Sequence, residues 1–223
     1  MAEAEEKKKD MFDVIGGREN FNKLLYGMTK GVAGLALKTI TDLRIEGQEN
    51  IPMHDKGIIT TVSDNVIRDM LAISQLTGRQ IHFMLDPKLI RHQIAGPVLK
   101  TLGMFRSTEN KDDQEPIDKV FKYLNEKGDL VAMTPESKYD YETQRKTVAA
   151  IIKFAVAADA PIIPVAVDSK KNKFLGLIDV DSLTVRVGTP LNVEKKLTRD
   201  KYRDQRYELA EGILKIIDSL KQK

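Results

Sequence analysis

Gly57-Ile58-Ile59-Thr60-Thr61-Val62 runs directly into Ser63-Asp64-Asn65-Val66-Ile67-Arg68-Asp69, and the reading of this junction decides the fold. The first half is a β-branched run of the kind found in strands buried on both faces. The second half places three capping-type residues, Ser63, Asp64 and Asn65, ahead of helical periodicity over residues 65–77 that stops at Gly78. A strand that feeds straight into a helix opens a parallel crossover.

The same alternation continues on either side. Leu43-Arg44-Ile45-Glu46-Gly47 alternates as a strand, and residues 80–84 supply the next one. A helix is predicted over 87–102, with Pro87 near its start, and another over 116–127, with Pro116 at its first position and Gly128 as its stop. Strands follow at 130–133, 161–167 and 183–187, and helices at 144–158 and 198–221. The pattern predicts a single α/β domain with a mixed, largely parallel sheet flanked by helices. It divides the chain into a charged tail (1–17), an amphipathic helix (18–40) and the α/β domain (41–223).

Composition narrows the function. The 223 residues are 41% hydrophobic and 31% charged, enough apolar material for a real core. Lys and Arg number 36 against 33 Asp and Glu, a net charge of +3 that gives no reason to expect a nucleic-acid partner. With no cysteine, disulfide scaffolds, zinc–thiolate clusters and thiol nucleophiles are excluded. The three histidines, His54, His82 and His92, have no spacing that pairs a base with a nucleophile. Met1-Ala2-Glu3-Ala4-Glu5-Glu6-Lys7-Lys8-Lys9-Asp10 is charged and has no apolar run, so no signal peptide is expected. The longest uncharged run, Met70 to Gly78, is nine residues, where a membrane span needs about 20. A cytoplasmic protein is expected, or one attached to the cytoplasmic face of a membrane. In the 18–40 helix, Phe21, Leu24, Leu25, Met28, Val32, Leu35 and Ala36 form an apolar stripe, accompanied by Lys23, Lys30 and Lys38. Such a helix either lies on an anionic bilayer or docks on the body of the domain.

Common phosphate and nucleophile motifs are absent. Two strand ends bring polar groups to one edge of the sheet: Ser63 to Asp69, and Met133-Thr134-Pro135-Glu136-Ser137-Lys138-Tyr139-Asp140. The carboxylates there read either as site groups or as helix caps. Arg68, Arg79, Lys88, Arg91 and Lys100 line a positive groove for an anionic head group, or else they are an ordinary solvated surface.

In order, these segments resemble the glycerolipid acyltransferase superfamily, typified by the bacterial lysophosphatidate acyltransferases. Ile45-Glu46-Gly47-Gln48-Glu49-Asn50-Ile51-Pro52 is similar to its V-E-G-x-E-N-I-P opening. Ser63-Asp64 with Asp69 falls on N-H-x-x-x-x-D, and Phe83-Met84-Leu85-Asp86-Pro87-Lys88-Leu89-Ile90 on F-M-A-K-x-E-L-F. Gly96-Pro97-Val98-Leu99-Lys100-Thr101-Leu102-Gly103 matches the following G-x-x-L-x-x-L-G helix. Thr134-Pro135-Glu136-Ser137-Lys138-Tyr139 stands where the family has F-P-E-G-T-R, and Ala160-Pro161-Ile162-Ile163-Pro164-Val165-Ala166 where it has V-P-I-V-P-V-A.

The resemblance implies acyl transfer from a thioester donor, acyl-CoA or acyl-ACP, to a glycerolipid-like or other acceptor, with no resident cofactor or metal. It puts Asp64 and Asp69 in the catalytic positions, as D-x4-D in place of H-x4-D. It puts acceptor or phosphate binding on Glu136, Ser137, Lys138 and Arg106. The chain departs from the family where Asp64 replaces the histidine, Glu109 a phosphate-binding arginine and Tyr139 the arginine of the P-E-G-T-R block. A catalytically silent protein that binds lipid or acyl thioester is therefore an alternative, and a Mg²⁺ site at Asp64, Asp69 and Glu136 is a second. An apolar groove beside residues 61–69 is expected, walled by Met70, Phe83, Met84, Met104 and Phe105. Glu136 is expected to brace the turn that follows it through amide hydrogen bonds.

Overall fold

Strand-forming runs become strands wherever both their faces find apolar cover. The computed structural model of the chain describes residues 24–28, 30–31, 41–110, 112–174 and 178–222. Among the described residues one sheet holds β1 (Thr41–Glu46), β2 (Gly57–Thr60), β3 (Ile81–Leu85), β4 (Phe105–Arg106), β5 (Leu130–Met133), β6 (Ile162–Phe174) and β7 (Ile178–Val187), in the order β1-β7-β6-β2-β5-β3-β4. Neighbours pair in parallel except β6 with β7, which run antiparallel from Val165 opposite Val187 to Phe174 opposite Ile178. The fold is the expected mixed, largely parallel α/β domain.

Helices cover both faces. On one side α1 (Val66–Ser74), α2 (Pro87–Ile90) and α3 (Ala95–Thr101) pack Met70, Ile73, Ile90 and Leu99 against Ile59, Phe83, Ala132 and Ile163. On the other, α4 (Glu115–Phe121), α5 (Tyr141–Ala158) and α6 (Arg203–Lys221) pack Val120, Ile152 and Ile213 against Ile58, Val131 and Ile162. Ile58 and Ile59 thus go to opposite cores, as the two-residue strand period requires.

Several elements differ from the sequence reading, three of them in kind. The predicted 87–102 helix is two helices, because the chain folds back after Ile90 until a Cβ on Gly96 would lie 2.3 Å from the Ile90 carbonyl oxygen. Only glycine fits there. The helix from Glu115 relaxes into a π-helical turn over Lys122–Glu126. The two-residue strand β4 was too short to signal itself.

Residues 24–28 and 30–31 are helical and dock on the domain. Tyr26 is buried, and its hydroxyl accepts a hydrogen bond from the Ile81 amide at 3.2 Å. Burial pushes the Tyr26 phenol pKa up and that of the Lys30 ammonium down. Lys30 Nζ donates to the Thr77 carbonyl, while Leu24 and Met28 face outward. The tail 1–17, Phe21, Lys23, Val32, Leu35, Ala36 and Lys38 lie outside the described residues. No helix among the described residues is long and apolar enough to cross a membrane.

Candidate active site

β2 and β5 are neighbours, but α1 leaves β2 toward one face of the sheet and α5 leaves β5 toward the other. Beyond such strand ends an α/β sheet opens a crevice. Here the crevice is a cleft of about 480 Å³. Met70, Ile73, Phe83, Met84 and Leu89 give it apolar walls, and Thr61, Ser63, Asp69, Glu136 and Lys138 gather at its polar end.

The polar end is built on main chain. Past the ordered strands, Ser63 N donates to Pro135 O (3.1 Å) and Ser137 N donates to Ser63 O (2.9 Å), an isolated parallel bridge between Ser63 and Glu136. Asn65 is the residue that caps α1, its side-chain oxygen accepting from Arg68 N at 3.1 Å. The first turn of that helix carries Asp69, which is 2% exposed. Ser63 Oγ donates to Asp69 Oδ2 at 2.7 Å, and Arg68 Nε donates to Asp69 Oδ1 at 2.8 Å. Thr61, two residues before Ser63 and on the same side of the extended chain, lines the cleft with a buried hydroxyl that has no hydrogen-bond partner among the described residues. A buried hydroxyl in this state is able to bond to a polar atom that enters the cleft.

The expected D-x4-D pair is not assembled. Asp64 alternates to the opposite side of the chain, where its exposed carboxylate lies 4.0 Å from Lys221 Nζ, and it does not line the cleft. Among the described residues no three His, Asp or Glu side chains converge to hold a metal ion, so the Mg²⁺ arrangement is not formed either. Glu136 and Lys138 do reach the cleft, 2.8 Å apart, and the Glu136 carboxylate raises the Lys138 pKa. It is the Glu136 backbone that braces the turn, with Tyr139 N donating to its carbonyl at 3.2 Å. Ser137 contributes main chain to the bridge.

Arg106 is not free for phosphate. It pairs with Asp113 and Glu115, and hydrogen bonds to these carboxylates push its pKa up. Glu109 pairs with Arg91 at 2.7 Å. Arg79 is spent on the Pro52, Asp55 and Gly128 carbonyls. Of the five basic residues proposed for a groove, Lys88 alone lines the cleft. His82 is buried between Gly103 O (2.8 Å) and Asp129 Oδ2 (3.0 Å) and stacks on Tyr123, so it is a core histidine. His92 is on the cleft wall, a placement that sequence spacing did not indicate. Of the expected apolar walls, Met70, Phe83 and Met84 line the cleft, while Met104 and Phe105 belong to the two cores.

The parallel-sheet cleft with apolar walls, and the aspartate at the first turn of its helix, fall where the acyltransferase resemblance puts its motif. Residues 42–168 match the Acyltransferase family, more than half of the chain, and the chain belongs to that family. The fold is similar to the crystal structure of the 1-acyl-sn-glycerophosphate (LPA) acyltransferase PlsC from Thermotoga maritima, with a TM-score of 0.61 and 16% identity over 92% of this chain and 82% of that one. No curated protein matches the sequence.

Proposed function

We propose that the cleft takes the acyl chain of a thioester, acyl-CoA or acyl-ACP, and that acyl transfer starts at its polar end. The observation that carries this reading is the junction of an apolar channel with a buried, hydrogen-bonded Ser63–Asp69 pair. Family membership supports the acyl donor. Asp69 is the motif carboxylate that meets the cleft, with Glu136 and Lys138 beside it on the acceptor side.

A silent acyl-thioester-binding protein is the second reading, favoured by the outward position of Asp64, which leaves the family's base position without a cleft-facing group. Peripheral membrane contact through the 18–40 segment is part of the proposal, supported by exposed Leu24 and Met28. The test is a melting curve with and without palmitoyl-CoA or palmitoyl-ACP, followed by thiol release. A raised melting temperature with release supports transfer. A raised temperature without release supports the silent reading, and no shift with either palmitoyl-CoA or palmitoyl-ACP removes both.

A further inference from the structure

The sequence motif pairs positions 64 and 69, yet the side chain that reaches Asp69 is Ser63. A hydroxyl within 2.6–3.2 Å of a base that a third group orients is the arrangement of an activated nucleophile. Ser63 Oγ lies 2.7 Å from Asp69 Oδ2, and Arg68 fixes the other carboxylate oxygen at 2.8 Å. Ser63 and Asp69 are each 2% exposed and line the cleft, so the proton path between them is shielded from bulk water. The Thr61 hydroxyl, without a hydrogen-bond partner among the described residues, lines the same cleft and is a donor available to a developing oxyanion.

We infer that Ser63 is a covalent acyl acceptor, which captures the acyl group of a long-chain thioester as an ester. The inference rests on the thioester-binding reading above. Ser63 Oγ bonds to the thioester carbonyl carbon while its proton passes to Asp69 Oδ2. The oxyanion takes a hydrogen bond from Thr61 Oγ1. As the carbonyl re-forms, the C–S bond breaks, and the departing thiolate takes the proton back from Asp69. The products are O-acyl-Ser63, ionised Asp69 and the free thiol. A carboxylate is a weaker general base than an imidazole, so capture is slow and suits single turnover. The apolar walls then hold the ester's chain out of water.

The chain's lack of cysteine makes the test clean, because an acyl group on the wild-type protein is an ester or an amide and never a thioester. The protein is incubated with palmitoyl-CoA and its intact mass is read, with melting curves on every variant. One palmitoyl group per chain, base-labile and mapped to Ser63, is expected. It should be absent in Ser63→Ala and at least about 100-fold slower to form in Asp69→Asn, the lower end of the range for a lost base. Ser63→Cys supplies a second readout that does not depend on Ser63→Ala folding: its adduct should be a thioester, released by neutral hydroxylamine. A melting shift with palmitoyl-CoA but no adduct overturns covalent capture and leaves the binding reading standing. An adduct that persists in Ser63→Ala, or that maps to Lys138 as a base-stable amide, also overturns it. No shift and no adduct with either palmitoyl-CoA or palmitoyl-ACP overturns the binding reading and this inference together.

Discussion

A one-residue difference in side-chain direction separates position 63 from position 64. Because Ser63 points at Asp69 and Asp64 at Lys221, Asp64→His should add no acyl-transfer activity, although it restores the family motif in sequence. Ser63→His instead puts an imidazole where Asp69 can orient it, and thiol release with a hydroxyl acceptor should rise by about 10-fold or more. Measuring both variants with palmitoyl-CoA decides the point, and equal gains would contradict the geometry. Motif spacing alone selected Asp64, and the strand period would have selected Ser63. Thr61 and Ser63 lie on one side of an extended chain, and Val62, buried in the opposite core, lies on the other side with Asp64. The Arg106 pairing was not legible in sequence, since it needs Asp113 and Glu115 to fold back over β4.

At the scale of elements, two attachments carry predictions. Tyr26 ties its short helix to β3, so Tyr26→Phe should cost about 1 kcal/mol for the lost hydrogen bond, and Tyr26→Ala about 3–5 kcal/mol, comparable with loss of a buried aromatic ring. Denaturant titration measures both. Arg106 fastens the segment after β4, and its hydrogen bond holds the Asp113 carboxyl below its usual range. Glu115 is held down by Lys119 first and Arg106 second. Stability from these carboxylates is complete above their unfolded pKa values, near about 4, and is lost as pH falls through the lower folded values. Arg106→Ala should therefore melt lower than wild type at neutral pH and converge toward it at about pH 3. Parallel melting curves across that range would expose a constant gap, which would remove the coupling.

Across the whole molecule, stability and chemistry occupy different places. Ile152, fully buried between α5 and the sheet in the opposite core, does not line the cleft. Ile152→Ala should cost about 2–5 kcal/mol of stability and leave palmitoyl-CoA affinity of the folded protein unchanged. Strand–helix alternation and capping residues made this architecture readable from the sequence, because each strand's apolar run and each helix's stripe point to the same two-sided sheet. The length of β6 and β7 was not readable. Beyond Ser169, β6 runs through Lys170, Lys171, Asn172 and Lys173, residues whose polarity resembles a loop, and antiparallel pairing with β7 makes them strand.

The bridge between Ser63 and Glu136 joins the two halves of the site through peptide groups alone. Its geometry is therefore indifferent to what either residue carries beyond Cα. A scaffold held in this way can exchange its reactive side chains one at a time, and each intermediate sequence still folds around an intact crevice. That decoupling of shape from chemistry explains how a protein can keep its fold while its reaction is rewritten.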